Sequence, residues 1–153
     1  MASLLPLISD ILPMVMPASA EVIRADQLQP AQSSGDGSAE NRPAVVGKCG
    51  KMCASVLTVR PHSSSPIRHN SEQDAIIYAA SGTARLLVKE GFEGKVYTHE
   101  LGQGDFAFVP AWTEHQVQND TDNDVVWILT QSGSHPVGAI LADWGEKEVS
   151  TQA

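Results

Sequence analysis

The feature that most constrains this chain is the punctuation between its apolar runs. "CASVLTVR", "AIIYAAS", "ARLLVKE", "KVYTHEL", "FAFVPA", "HQVQN", "VVWILTQS" and "VGAILAD" follow one another at short intervals. Turn-formers separate them: Ser81-Gly82, Gly91, Gly94, Gly102 to Gly104, Asn119-Asp120 and Gly133. Each run is strand-length and rich in β-branched or aromatic residues, and no long helical period lies between them. Such spacing predicts an all-β sandwich or barrel. "EVIRADQL" reads as a further strand near the start, and "QPAQSSGDGSAENRP" as a loop. With 153 residues, 42 % of them apolar and 18 % charged, the chain suits one packed domain.

Charge and cysteine usage narrow the function classes. A net charge of −8 argues against nucleic acid or an anionic membrane as partner. No apolar run is long enough for a transmembrane helix. Cys49 and Cys53, on one extended strand, would lie roughly 13 Å apart, too far for a disulfide. They read as reduced core thiols, which favours a cytoplasmic location. The first residues, "MASLLPLISDILPMVMPASAE", end like a signal-peptidase site but carry no Lys or Arg before the apolar run. They read instead as an apolar arm packed on the barrel or on a second subunit. A homodimer is the expectation, since open strand edges also invite pairing.

One stretch carries a family signature. In "GQGDFAFVPAWTEHQVQN", Gly104, Pro110, His115 and Asn119 stand at the spacing G-x5-P-x-G-x2-H-x3-N, with Trp112 in place of the second glycine. This resembles the second motif of the cupin superfamily. Upstream, "VRPHSSSPIRHNSEQDAIIYAASG" lies where cupins carry G-x5-H-x-H-x3,4-E-x6-G. The resemblance covers roughly residues 45 to 142 and is nearest to short single-domain cupins of fungal small-molecule biosynthesis. It implies a double-stranded β-helix, a jelly-roll barrel, with a site inside. The organisation expected is an arm, first strand and loop over 1–44, the barrel over 45–142, and a tail over 143–153.

The resemblance also implies a single metal held by three His and one Glu, and here the chain departs from it. Counted back from Gly82, the Glu position is Ala75. The His positions are Arg68 and Asn70 with one spacer, or His69 and Ser71 with the other. Two readings stay open. In one, His69, His115 and Asp74, the last moved into place by a bulge, hold a divalent Fe, Mn, Ni, Cu or Zn, with Glu72 or Gln73 assisting. In the other, His115, His69 and Asp74 transfer protons without a metal. Arg68, facing inward, would hold a carboxylate or phenolate and repel a cation. Asn70, Gln73, Tyr78 and Trp112 complete the candidate substrate-binding set, Trp112 as lid or core.

Tyr78, Phe106, Phe108 and Trp127 read as core by their strand spacing. His62, His99 and His135 read as surface residues, and Asp120, Asp122 and Asp124 as a solvated turn. Ala79 and Ala80 are smaller than a barrel interior requires, so a roomy cavity for an aromatic or polycyclic ligand is expected unless Trp112 or Trp127 fills it. The function expected is an enzyme of isomerase, cyclase or decarboxylase type acting on an aromatic or polyketide-like metabolite. A mononuclear iron dioxygenase and a non-catalytic binding barrel are the alternatives.

Overall fold

A computed structural model describes Ile11 and residues 19–33, 36–90 and 94–152. After a single 3-10 turn at Ala25–Gln27, the described chain is all strand and connection. The strands are β1 (Gln32–Ser33), β2 (Ala39–Val45), β3 (Met52–Val59), β4 (Ser63–Ser64), β5 (Arg68–His69), β6 (Ala75–Ser81) and β7 (Ala84–Glu90). They continue with β8 (Lys95–Leu101), β9 (Phe106–Val109), β10 (Glu114–Asn119), β11 (Val125–Ser132), β12 (Gly138–Leu141) and β13 (Glu148–Gln152). Two antiparallel sheets result. One runs β1-β2-β3-β11-β6-β9 and the other β13-β12-β5-β10-β7-β8, with β4 also paired to β10. Non-sequential neighbours such as β3-β11-β6 are the mark of a jelly roll.

Alternation builds the core between the sheets. β3, β6, β7 and β10 each bury every second residue. Leu57, Val59, Ile77, Leu86, Val88, Val117, Val125 and Trp127 meet there. Trp127 is fully buried and pairs across the sheet with Ala79, itself fully buried. The volume given up at Ala79 therefore serves the indole beside it, from the same sheet rather than from the opposite one.

Three turns matter for positioning. Gly82 joins β6 to β7 at φ 77°, where a Cβ would lie 3.0 Å from the Asp124 carbonyl. Asn119 ends β10, fully buried; its amide donates to the carbonyls of Val59 at 3.0 Å, Arg60 at 3.1 Å and Asn123 at 2.7 Å. Trp112 adopts φ 66° in the loop between β9 and β10. The loop thus keeps the left-handed turn that suits glycine while carrying a bulky side chain there.

Several expectations need correction. "EVIRADQL" is not a strand: it holds the 3-10 turn, where the Arg24 amide donates to the Gln27 side chain at 2.8 Å. The end of the expected loop, Ala39 onward, is strand β2, which tolerates Pro43 through an irregularity between Pro43 and Val45. Strands run from Gln32 to Gln152, beyond the 45–142 span, and the expected tail contributes β13 to a sheet. Cys49 is exposed, in the β2–β3 connection, and only Cys53 is buried. Tyr78, Phe106 and Phe108 are not core; they stand on the outer face. His62, His99 and His135 are exposed, as expected. Asp120, Asp122 and Asp124 pair at the surface with Arg85, His62 and Arg60. The apolar arm falls mostly outside the described residues. Among the described residues, no helix is long and apolar enough to cross a membrane.

Candidate functional site

The site forms where β5 meets β10. Their single register pair is Arg68 with His115. Directly paired residues of an antiparallel ladder present side chains on one face, and both line one cavity between the sheets. Its volume is about 70 Å³. Leu57, Ile77, Val117, Leu129 and Ile140 form apolar walls; Asn41 and Ser65 add polar groups. The space takes a few non-hydrogen atoms, so it is smaller than the polycyclic-sized cavity expected from Ala79 and Ala80. Trp127 takes the space beside Ala79, and Ala80 stands on the other face of β6.

His115 is buried, 8 % exposed. Its Nδ1 lies 3.0 Å from the Thr113 carbonyl, so Nδ1 carries the proton and donates, and Nε2 keeps its lone pair. Burial pushes its pKa down from 6.5 to about 4; the Thr113 bond opposes this, and the nearby Arg68 and His69 charges reinforce it. The imidazole is therefore neutral at physiological pH. Burial holds the Arg68 guanidinium below its ordinary pKa, yet an arginine remains a cation. Asn41 is 5 % exposed, and its Oδ1 has no hydrogen-bond partner among the described residues. A buried acceptor facing a cavity calls for a donor, which a ligand can supply.

The other sequence-derived candidates stand elsewhere. His69 follows Arg68 on β5, and the alternation sends it away from the cavity. Its Nε2 lies 3.3 Å from Glu148 Oε1, its Nδ1 3.3 Å from Ser71 Oγ, and Trp112 packs over its ring at 5.2 Å between centroids. Trp112 therefore covers His69, not His115. Asp74 is exposed; its carboxylate accepts the Ala111 amide at 3.0 Å and so anchors the loop that precedes His115. Gln73 is buried with its amide used in the fold. Nε2 donates to the His135 carbonyl at 2.6 Å, and Oε1 accepts from Gln131 and Val137. Asn70 is buried, its carbonyl accepting the Trp112 amide at 2.9 Å. Tyr78 faces outward, and Glu72 is exposed at φ 58°. None of these lines the cavity.

Asn41 and Ser65 are cavity residues that sequence reasoning missed. Asn41 lay in what reads as a loop, and no local signal in "AENRPAV" marks it; its inward position comes from the pairing of β2 with β3. Ser65 donates to the Pro66 carbonyl and accepts the Val117 amide, so its role is also structural.

The pairing of Arg68 with His115 fixes which spacing of the first motif applies. The positions that would carry metal ligands hold Arg68, Asn70, Ala75 and His115. That set has one imidazole, one cation and no carboxylate, and it does not suit a divalent metal. Among the described residues, no group of three or more His, Cys, Asp or Glu could hold a metal ion. His69 and Asp74 do not complete a shell with His115.

With this geometry in view, the likenesses to known proteins are informative. Residues 55–130 match the family model for the cupin domain. No curated protein matches the chain. Peruvianin-I, a cysteine peptidase from Thevetia peruviana latex, has a similar structure: TM-score 0.69, 16 % identity, 82 % of each chain covered. A mutant of Bacillus subtilis oxalate decarboxylase has TM-score 0.66 and 22 % identity, over 74 % of this chain and 30 % of that one. Another structure of that enzyme, studied for its Mn(II) centres, has TM-score 0.65 and 22 % identity over the same shares. The chain spans about a third of the decarboxylase's length. At these identities the likeness is one of fold. Motif, sheet order and structural likeness agree that this chain folds as a cupin double-stranded β-helix.

Proposed function

We propose that the barrel takes the anionic end of a small metabolite, a carboxylate or phenolate, on Arg68 and moves a proton with His115 Nε2. The observation that carries this reading is the direct cross-strand pair of Arg68 and His115 lining one cavity. Arginine presents a rigid fork that matches a carboxylate. With no ligand, burial first and the guanidinium after it keep His115 a weak base. An anion on Arg68 offsets that charge and raises the imidazole's proton affinity, so ligand binding itself readies the base. Asn41 Oδ1 offers an acceptor for a ligand hydroxyl. The cavity admits the charged end, while an aromatic or polyketide-like body would remain nearer the mouth. Isomerisation, cyclisation and decarboxylation all use such a proton transfer, and all suit small-molecule biosynthesis.

The test uses chelator-treated protein and calorimetry, with acetate and benzoate as anionic probes and benzamide as the neutral control. The anions should bind and benzamide should not. Arg68→Met should weaken binding about 10- to 150-fold, from the roughly 1.5–3 kcal/mol of a hydrogen bond to a charged group. Anion binding that appears only after Mn(II) or Fe(II) is added would support the metal reading, and with it the dioxygenase alternative.

A further inference from the structure

The outer face of the β1–β9 sheet is apolar where an antiparallel sheet facing water would alternate to polar residues. One row crosses four strands in register: Val56 on β3, Ile128 on β11, Tyr78 on β6 and Phe106 on β9. The next row ends in Ile76 paired with Phe108. Phe106 is 69 % exposed, Phe108 63 %, Ile76 49 % and Tyr78 37 %. The Tyr78 and Phe106 rings already pack at 4.8 Å between centroids, so this part of the face is ordered in advance of any contact. Among the described residues, β9 is also the last strand of its sheet, with one edge unpaired.

The geometry points to this face as a self-association surface whose occupant is the same face of a second copy of the chain. Three observations favour that occupant. The first row carries one charge, Arg42 on β2 beside Val56, at the end away from Tyr78 and Phe106, so two chains of net charge −8 can bring the aromatic end together without bringing like charges together. A two-fold contact requires a self-complementary patch, and flat rows of aromatic and aliphatic groups meet that need. The four exposed side chains offer on the order of 400 Å², from aromatic areas of about 150–250 Å² each. That is about half of the roughly 800 Å² per partner of a stable interface, before flanking residues are counted. Aromatic groups central to such a patch are the typical anchors of association.

Analytical ultracentrifugation of the full chain at about 10 µM tests this, paired with hydroxyl-radical footprinting of the unmodified protein. The wild type should sediment at twice the 16.3 kDa of one chain. Phe106→Glu and Tyr78→Lys, on different strands and both at exposed positions, should each sediment as monomers with an unchanged circular dichroism spectrum. In the wild type, Phe106 and Phe108 should label less than Tyr97, although the isolated chain exposes Tyr97 less, at 41 %. A monomeric wild type overturns the proposal, and protection of Phe106 in such a monomer assigns the face to the chain's own apolar N-terminal residues. Variants that stay dimeric, or labelling that follows the exposure of the isolated chain, overturn it equally.

Discussion

Lowering the pH should destabilise this protein through His115 in particular. The buried imidazole has a pKa of about 4 in the folded state, against an ordinary value of 6.5. Between those two values the unfolded chain binds a proton that the folded chain does not. Stability contributed by this group is thus fully present above pH 6.5 and declines as the pH falls towards 4. A shift of about 2.5 units at 1.36 kcal/mol each gives a loss of about 3 kcal/mol. The assay is urea denaturation of wild type and His115→Gln at a series of pH values from 4 to 7.5. Glutamine keeps hydrogen-bonding capacity but does not titrate in this range. The difference between the two curves isolates the histidine, since the carboxylates and other histidines are common to both. The wild type should lose about 3 kcal/mol more than the variant across the window. Parallel curves would refute the reasoning, because they would mean that His115 titrates alike in both states.

Other outcomes follow from single contacts. Asn119→Ala should cost about 3 kcal/mol or more in denaturant melts, because it strips the carbonyls of Val59, Arg60 and Asn123 of a donor inside the fold. Gly82→Ala should cost about 1–3 kcal/mol by the same measure, since a Cβ at φ 77° meets the Asp124 carbonyl and Val125 at 3.0 Å. His69→Ala should leave acetate binding unchanged by calorimetry, because that ring packs under Trp112 outside the cavity. Asp74→Asn should likewise bind acetate with wild-type affinity, since its carboxylate serves the Ala111 amide.

The barrel was legible where a local rule decides structure. β6, β7, β8 and β11 coincide with the runs "AIIYAAS", "ARLLVKE", "KVYTHEL" and "VVWILTQS", because apolar β-formers bounded by turn residues leave few other choices. The motif around His115 was legible for the same reason: Gly104, Pro110 and Asn119 each meet a backbone requirement, and Asn119 shows which. What failed depended on contacts between distant strands. β2 carries Asn and Pro and is a strand only because β3 supplies its partner. Phe106 and Phe108 alternate correctly, but alternation does not say which face is inner, and Ala107 and Val109 occupy it. The first motif was ambiguous by one residue, and one residue exchanges the faces of a strand. Only the pairing of Arg68 with His115 resolves it, placing Arg68 in the cavity and His69 outside.

The central claim is that an anion on Arg68 readies His115 without a metal. Its most direct test is the pKa of the His115 ring, followed by NMR in chelator-treated protein with and without trifluoroacetate, a carboxylate that stays ionised over the whole titration. The account predicts a value of about 4 without the anion and a clear rise when the anion saturates the cavity, a rise that Arg68→Met abolishes. A ring that already titrates near 6.5 without the anion, or one whose pKa the bound anion leaves in place, would contradict it.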